Sequence, residues 1–344
     1  MNTTKKEKVI SEKSKMIDFS STVWYDQAYE NLTEHLRGIL TEGIQSYPER
    51  DNKTLRTMLA KRNDLHPDNI VVLNGRTGAF YRIAQAFSGS TAAIMTPSYG
   101  LYEEATAIHG WKHKFLPNTL NTDEIDLEGC DFCWISSPNN PDGKYRSRVE
   151  LLKLIAAYPN VRFVLDQSYF SFTTTPIINL NDVNNYPNII IVRSFTHAYG
   201  LPGLRVGYIV ANKEVAKTIG KFVEPWSVNT LAVEAVKYIL IHPAQFTLPI
   251  RKWQRNTHEL MNKLRVIDGL EVIHSDTPFF LVRLDNHKAS TVVQRLRSEY
   301  CMEICDASCF RGLDDRYLRI TARGEEQNNL LIEALHNILS EDLV

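Results

Sequence analysis

The sequence contains few cysteines, and its positive and negative charges nearly balance. Cysteine occurs five times in 344 residues, an odd and small number that excludes a disulfide framework for a chain of this length. Lys and Arg number 39 against 40 Asp and Glu, and the formal net charge is −1. This balance excludes the strongly basic surface of a nucleic-acid-binding protein, so no nucleic-acid partner is expected.

Long apolar segments are also missing. The apolar run Asn188–Val192 is short and ends at Arg193, well below the length of a membrane-spanning helix. Residues 1–15 are polar and lack the apolar centre of a signal peptide. We therefore expect a soluble, cytoplasmic protein with no membrane partner.

Short apolar runs alternate with amphipathic stretches from about Asp68 onward. The predicted strands are Ile70–Leu73, Ala92–Met95, Phe132–Ser136, Val161–Leu165, Ile189–Val192 and Val206–Val210, with helical segments between several of them. Strands separated by helices of this length indicate an α/β fold whose mostly parallel sheet is covered on both faces.

The pattern changes beyond about Ala244. A long helical pattern over Gln245–Val266 precedes a predicted strand at Phe279–Leu284, and a strand at Tyr317–Thr321 precedes a final helix. We predict a large domain over residues 45–243, a smaller α+β domain over 244–344, and an N-terminal segment, 1–44, that packs with the smaller one. The length would also suit a single large α/β domain.

Polar residues follow the ends of several predicted strands, where ligands bind in open α/β sheets. The segments are Asn74–Gly78, Tyr99, Ser137–Gly143, Asp166 and Arg193–Tyr208. Taken singly, each has an ordinary explanation as a glycine turn, a packing aromatic or a helix cap. Together they supply amides, hydroxyls, a carboxylate and arginines, a set that suits a phosphate-bearing ligand.

Two of these segments carry a family resemblance. Ser137–Gly143 is similar to the motif S-P-N-N-P-T-G, and Ser194–Gly207 is similar to S-F-S-K-A-F-G-L-A-G-L-R-x-G. Both motifs are typical of fold type I enzymes dependent on pyridoxal 5'-phosphate (PLP). The chain most resembles the histidinol-phosphate aminotransferase and threonine-phosphate decarboxylase branch of the class I/II aminotransferases, from about Asp18 to the C-terminus.

The resemblance implies an aspartate aminotransferase-like fold, PLP or pyridoxamine 5'-phosphate as cofactor, and an amino-acid-like substrate. It also implies which residues would contact the cofactor phosphate: Arg76 and Thr77 through backbone amides and the hydroxyl, with Ser194, Thr196 and Arg205. Around the ring, Tyr99 would stack on the pyridine, and Asn140 and Tyr169 would hydrogen-bond its phenolic oxygen. Asp166 would pair with the protonated ring nitrogen.

Three further residues match family positions outside this set. Tyr47 matches the tyrosine that reaches the neighbouring subunit's phosphate site, which implies a homodimer. Arg319 matches the arginine that binds the substrate α-carboxylate, a bidentate task suited to guanidinium. Arg323 is a second candidate for an anionic substrate group.

The chain departs from the family at the Schiff-base lysine, whose position is taken by His197. An imidazole cannot condense with the cofactor aldehyde as a primary amine does. Three interpretations follow: a cofactor held non-covalently, with His197, Tyr99 and Asp166 as the catalytic set; a pseudoenzyme; or an engineered lysine replacement. In the first, His197 would be the acid/base.

Other departures favour natural divergence over a single engineered change. Residues 20–26 lack the family's N-P-type segment, and Cys305 stands where relatives commonly have arginine, which argues against a phosphorylated substrate. Glu224–Asn229, in contrast, is similar to the decarboxylase branch. We therefore expect an aminotransferase-like protein with non-covalent cofactor, with a pseudoenzyme or an amino-acid-phosphate decarboxylase as alternatives.

No metal site is expected. Cys130 and Cys133 form a C-x-x-C motif without a second pair and run into an apolar strand, so core positions are the better interpretation. Cys301, Cys305 and Cys309 recur every four residues, but turn and strand signals surround them.

Overall fold

The computed structural model describes residues 16–24, 29–119, 121 and 124–341. Within them the chain forms two compact units. The large unit contains residues 23–250 and 310–312, and the small unit contains residues 16–22, 251–309 and 313–341. Tyr25 and Asp26, part of the divergent N-terminal segment, lie outside the described residues. Within the described part of the chain, no helix combines the length and apolarity needed to cross a membrane.

The large unit alternates strands and helices. Its strands are β2 (Ile70–Leu73), β3 (Thr91–Thr96), β4 (Lys112–Pro117), β5 (Phe132–Ser136), β6 (Arg162–Asp166), β7 (Ile189–Ser194) and β8 (Gly207–Ala211). Its helices are α1 (Glu30–Gln45), α2 (Lys53–Arg62), α3 (Gly75–Ala86), α4 (Leu101–Ile108), α5 (Arg148–Ala157), α6 (Lys213–Gly220) and α7 (Thr230–Ile241).

The seven strands form one sheet in the order β2-β8-β7-β6-β5-β3-β4. All neighbouring pairs are parallel except those of β8, which runs antiparallel to both β2 and β7. Strand β5 is buried at every position, and β6 and β7 are buried at all but one, because helices cover both faces of the sheet. The predicted α/β fold with a mostly parallel sheet is confirmed.

The small unit has its own core. Its strands are β1 (Ile17–Asp18), β9 (Leu270–Val272), β10 (Phe279–Leu284), β11 (Met302–Glu303), β12 (Cys305–Asp306) and β13 (Tyr317–Thr321). Its helices are α8 (Ile250–Leu264), α9 (Ala289–Tyr300) and α10 (Glu325–Glu341); the first residue of α8, Ile250, is counted with the large unit. Four strands form an antiparallel sheet in the order β12-β13-β10-β9, and β1 pairs with β11 in parallel.

Helix α8 is shorter than the sequence predicts. The expected helix over residues 245–266 begins only at Ile250, directly after Pro249. Pro243–Phe246 forms a separate 3₁₀ turn, because proline is accepted at the start of a helix and disrupts its interior. Cys130 and Cys133 are free and buried, as expected for core cysteines.

Candidate functional site

The ends of four strands place the predicted cofactor residues along one edge of the large sheet. Asp166 ends β6 and lies opposite Ser136 of β5, while Ser194 ends β7 and pairs with Gly207 of β8. Gly207 also pairs with Leu73, the last residue of β2, so helix α3 begins at the same edge. This is the edge where parallel α/β sheets bind ligands.

Asp166 is the centre of a buried polar cluster. Its carboxylate is 1% exposed and accepts a hydrogen bond from the Tyr102 hydroxyl at 2.6 Å. Its other oxygen accepts from the Ser168 backbone N–H at 2.9 Å and hydroxyl at 2.5 Å. Burial, and after it the charge of Asp166, hold the pKa of Tyr102 well above its ordinary value. The Tyr102 hydroxyl therefore stays protonated and remains a donor.

The side chain of Arg76 completes this cluster. Its Nη1 lies 3.5 Å from Asp166 Oδ2, and the side chain is almost buried, with the residue 8% exposed. The guanidinium carbon lies 4.7 Å from the centre of the Tyr99 ring and 5.7 Å from that of Tyr169. A planar cation therefore lies over Tyr99 and beside the Asp166 carboxylate.

Arg76 remains charged in this environment. Burial by itself lowers the pKa of Arg76, but the neighbouring Tyr169 and Asp166 outweigh it, and the pKa lies above its ordinary value. A buried guanidinium needs such a partner, since an unpaired buried charge is strongly unfavourable. We call the group Arg76, Tyr99, Tyr102, Asp166, Ser168 and Tyr169 the ring side of the pocket.

His197 packs against the ring side. Its imidazole centre lies 4.5 Å from that of Tyr169, with 42° between the ring planes, and the residue is 7% exposed. The backbone carbonyl of His197 accepts a hydrogen bond from the Trp24 N–H at 2.9 Å. The histidine is thus a buried, positioned side chain of the pocket rather than a surface group.

The predicted turn 137–143 is buried and internally bonded. Asp142 accepts from Asn139 Nδ2 at 2.7 Å and from the Lys144 N–H at 3.2 Å. Asn139 Nδ2 also reaches the Pro97 carbonyl, 2.9 Å away, which ties the turn to the end of β3. Asn140, predicted to contact the cofactor ring, is buried within this turn.

The remaining predicted phosphate contacts form the anion side of the pocket, by which we mean Thr77, Ser194, Thr196 and Arg205. Thr77 lies in the first turn of α3, and Ser194 Oγ accepts from the Thr196 N–H at 3.4 Å. The Arg205 guanidinium donates to the Pro202 carbonyl at 3.1 Å. Backbone amides, hydroxyls and a guanidinium at a helix N-terminus suit an anion.

Two glycines make this arrangement possible. A Cβ on Gly75 would lie 2.7 Å from Arg205 Nη2, and Gly75 has φ +75°. A Cβ on Gly207 would lie 2.9 Å from the backbone N of Arg76. Glycine at these positions lets the Arg205 guanidinium lie against residue 75 and the Arg76 backbone lie against residue 207.

Three predicted residues have contacts with groups outside this cluster. Tyr47 is on the surface of the large unit, 87% exposed, with its ring 5.8 Å from that of Trp226. Arg319 and Arg323 belong to the small unit, where Arg319 donates to the Ser20 carbonyl at 2.7 Å. Arg323 donates to the backbone carbonyls of Asp18 and Ser21, at 2.5 and 2.8 Å.

Sequence reasoning missed three contributions to the ring side. It assigned to Arg76 only a backbone contact with phosphate, and it did not identify Tyr102 or Ser168. Ser168 follows Asp166 by two residues, a spacing typical of an Asx turn, and could have been found. The Arg76 side chain and Tyr102 reach Asp166 only through the packing of α3 and α4.

Comparisons with known proteins agree with this architecture. The family model described as aminotransferase class I and II matches residues 14–335. Histidinol-phosphate aminotransferase 2 of Archaeoglobus fulgidus is 31% identical over 91% of this chain and 90% of its own.

Solved structures give the same result. The L-threonine-O-3-phosphate decarboxylase of Porphyromonas gingivalis superposes with a TM-score of 0.92 and 50% identity, over 94% of this chain and all (100%) of the other. A histidinol-phosphate aminotransferase of Sinorhizobium meliloti, solved with pyridoxal-5'-phosphate, shares the fold at a TM-score of 0.82 and 21% identity, over 95% and 91% of the two chains. The chain therefore belongs to the class I and II aminotransferases, a PLP-dependent family.

Proposed function

We propose that this family member does not perform PLP chemistry and instead uses its pocket to bind a small phosphorylated amino acid or amine. The observation that carries the proposal is the Arg76 guanidinium, which lies over Tyr99 and beside Asp166. These are the two groups that the family resemblance assigns to the cofactor ring and its nitrogen.

The residues present do not fit PLP held in that way. Both Asp166 oxygens already have partners, Ser168 on one and Tyr102 with Arg76 on the other. A pyridinium at this carboxylate would require Arg76 to leave, which would separate a buried cation from its counter-charge. His197, at the position predicted for the Schiff-base lysine, also lacks the primary amine that would tether the cofactor.

The anion side supports binding of a phosphate ester. The Thr77, Ser194 and Thr196 hydroxyls and the Arg205 guanidinium are all donors. Two relatives named above act, by their names, on histidinol phosphate and L-threonine-O-3-phosphate. A phosphorylated amino acid is therefore the ligand class we favour, because the four donors of the anion side outweigh the argument against a phosphorylated substrate drawn from Cys305.

An absorbance titration with PLP tests the loss of cofactor binding. We expect no saturable spectral change for the wild-type chain, and recovery of an imine absorbance in the double variant Arg76→Ser/His197→Lys. Arg82→Ser is the matched control, because Arg82 lies on the same helix but pairs with Gln85 and Glu224. Saturable PLP binding by the wild-type chain would overturn the proposal.

Calorimetric titration with L-threonine-O-3-phosphate, without PLP, tests the binding role separately. We expect saturable binding to the wild-type chain. The Arg205→Gln variant should bind at least about tenfold more weakly, because it loses one charge-assisted hydrogen bond to the phosphate. Binding that is absent, or that is the same in both proteins, would refute the ligand assignment while leaving the PLP result standing.

A second candidate function keeps the cofactor. In it, PLP or pyridoxamine 5'-phosphate is held non-covalently, Arg76 moves aside, and His197 transfers the proton. The close packing of His197 on Tyr169 favours it, because it holds a proton-transferring group within the pocket. With PLP present, a keto acid product would indicate an aminotransferase, and carbon dioxide would indicate a decarboxylase.

We also propose a homodimer, as the sequence resemblance implies. The large apolar side chains exposed on the large unit include Ile44, Tyr47 and Trp226, and the Tyr47 ring lies beside that of Trp226. Neighbouring exposed apolar side chains of this kind mark contact surfaces. Sedimentation of the full chain should give a dimer, and a monomer at micromolar concentration would contradict the assignment. The cytoplasmic location stays a prediction of the sequence.

A further inference from the structure

A cluster of two imidazoles and one carboxylate lies in the small unit. His258 belongs to α8, while His274 and Asp276 belong to the segment between β9 and β10. None of the three is among the residues that the family resemblance or the proposed function names.

The three side chains bring their ligand atoms close together. His258 Nε2 lies 3.3 Å from Asp276 Oδ1, and His274 Nε2 lies 3.4 Å from the same oxygen. One ligand atom from each residue lies within 4.8 Å of the other two. A tetrahedral zinc ion with bonds of about 2.0–2.1 Å separates its ligand atoms by about 3.3–3.4 Å.

The segment that carries two of these residues is held rigidly. Ser275 and Thr277 are buried; their hydroxyl oxygens lie 2.9 Å apart, and each lies 2.8 Å from the Phe279 carbonyl oxygen, so the two hydroxyl protons are shared among these three contacts. His274 and Asp276, on either side of Ser275, both bring their ligand atoms close to His258 of α8.

Helix α8 is joined to the same segment. Gln254, one turn before His258, donates from Nε2 to the Asp276 carbonyl at 3.0 Å. This contact fixes the helix against the loop and holds His258 opposite the other two side chains. Two elements that are already ordered therefore present the three groups, which lowers the entropy cost of binding an ion.

His258 Nε2 provides a second, independent observation. The atom itself is shielded from solvent, while the side chain as a whole is 41% exposed, and apart from the Asp276 oxygen 3.3 Å away the atom has no polar partner within the described residues. A shielded polar atom without a hydrogen bond is costly unless something else satisfies it. A bound metal ion would satisfy this nitrogen and the other two ligands at once.

An ordinary surface ion pair looks different. His66 and Asp68 in the large unit also lie 3.3 Å apart, but among the described residues no second imidazole joins them to make a group of three possible ligands. The His66–Asp68 pair therefore serves as the control for the cluster of His258, His274 and Asp276. The second imidazole and the shielded nitrogen distinguish the His258 cluster from it.

We propose that His258, His274 and Asp276 bind a divalent transition-metal ion, with zinc as the best match. Two neutral imidazoles and a carboxylate are the ligand types that zinc accepts, and water would take the fourth position. The site is a binding site in the small unit, independent of the proposed ligand of the large unit.

Titration of the tag-free full chain with Zn²⁺, followed by calorimetry, tests the proposal. We expect one equivalent of Zn²⁺ to bind. His258→Gln and His274→Gln should each weaken binding by at least about tenfold, because the loss of even a residue that only supports a metal ligand lowers metal affinity by that factor. His66→Gln is the control and should leave the affinity unchanged. Thermal unfolding without metal should be the same for all of these proteins, which separates ligand loss from misfolding.

Substitution with Co²⁺ identifies the ligands. Nitrogen and oxygen ligands should give weak visible bands without the near-ultraviolet charge-transfer band of a thiolate. A thiolate band would assign the ion to the cysteines and overturn the proposal. So would the absence of Zn²⁺ binding, or binding that His258→Gln leaves unchanged.

Discussion

The ring side and the anion side of the pocket hold polar groups in different ways. On the ring side, a buried carboxylate, Asp166, is surrounded by the cation Arg76 and the donors Tyr102 and Ser168. On the anion side, hydroxyls and Arg205 are held by local turns and by the space that Gly75 leaves. The ring side therefore depends on compensated charge, and the anion side on backbone geometry.

This difference has a consequence for ligand binding. On the ring side, Arg76, Tyr102 and Ser168 already contact the Asp166 carboxylate, which is the basis of our proposal that a cationic ring does not bind there. The anion side presents donors whose natural partner is an external anion. The same fold can thus lose affinity for one part of a ligand and keep affinity for another part.

Asp166→Ala should have the largest effect and tests the ring side directly. It removes the partner of the buried Arg76 guanidinium, and breaking a buried pair costs about 3–5 kcal/mol. Urea unfolding at neutral pH measures the loss. Asp126→Ala, which removes the exposed partner of Lys114, is the control and should have little effect. Wild-type stability in Asp166→Ala would mean that the ring side is not held by charge.

Tyr102→Phe should have the next largest effect. It removes a hydrogen bond to a buried carboxylate, worth about 1.5–3 kcal/mol, while the ring keeps its packing. Tyr81→Phe is the matched control, since the Tyr81 hydroxyl bonds Glu104 on the surface. Equal free energies of unfolding for the two variants would argue against a special role for the Asp166 cluster.

Gly75→Ala tests the anion side. A Cβ there would lie 2.7 Å from Arg205 Nη2, at φ +75°, so we expect a loss of about 1–3 kcal/mol in unfolding free energy. Gly78→Ala, three residues along the same helix, meets nothing within 4 Å and should gain up to about 1 kcal/mol. If Gly75→Ala lost more unfolding free energy than Asp166→Ala, the backbone geometry of the anion side would matter more for stability than the compensated charge of the ring side.

Asp142→Asn should have the smallest effect and concerns the turn that carries Asn140. Burial raises the pKa of Asp142 above its usual range, more than its hydrogen bonds with Asn139 and Lys144 lower it. The folded state therefore binds the proton more tightly than the unfolded state, and this group favours folding less as the pH rises through its folded pKa.

The measurement is the difference in melting temperature between wild type and Asp142→Asn, followed upward from about pH 4, the ordinary aspartate value. The wild type should lose stability relative to the variant as the pH rises. A difference that stays constant, or that changes in the opposite direction, would refute the assigned shift.

Much of the fold could be predicted from local sequence. The strands Ile70–Leu73, Phe132–Ser136, Phe279–Leu284 and Tyr317–Thr321 have the predicted bounds, because apolar runs flanked by turn residues define buried strands. Strand β4 was not predicted. It is an edge strand whose residues 112–114 are all polar, and its pairing with β3 forms it.

The residues of the candidate site were also predicted only in part from the sequence. Family-like motifs placed Asp166, Asn140, Ser194 and Arg205 in the large unit, where strand ends bring Asp166 and Ser194 to one edge. The motifs gave no indication of where the Arg76 side chain would point. That direction depends on α3 packing beside Tyr99 and Asp166, which lie far along the chain.

The sequence by itself determined the α/β class, most of the strands, the family, and the absence of a lysine at position 197, because each depends on residue identity and local periodicity. Only the tertiary structure decided that the Arg76 guanidinium lies beside Asp166, and that His258 meets His274 and Asp276. Buried charge and ion ligation depend on distances between side chains from separate elements, and packing alone sets those distances.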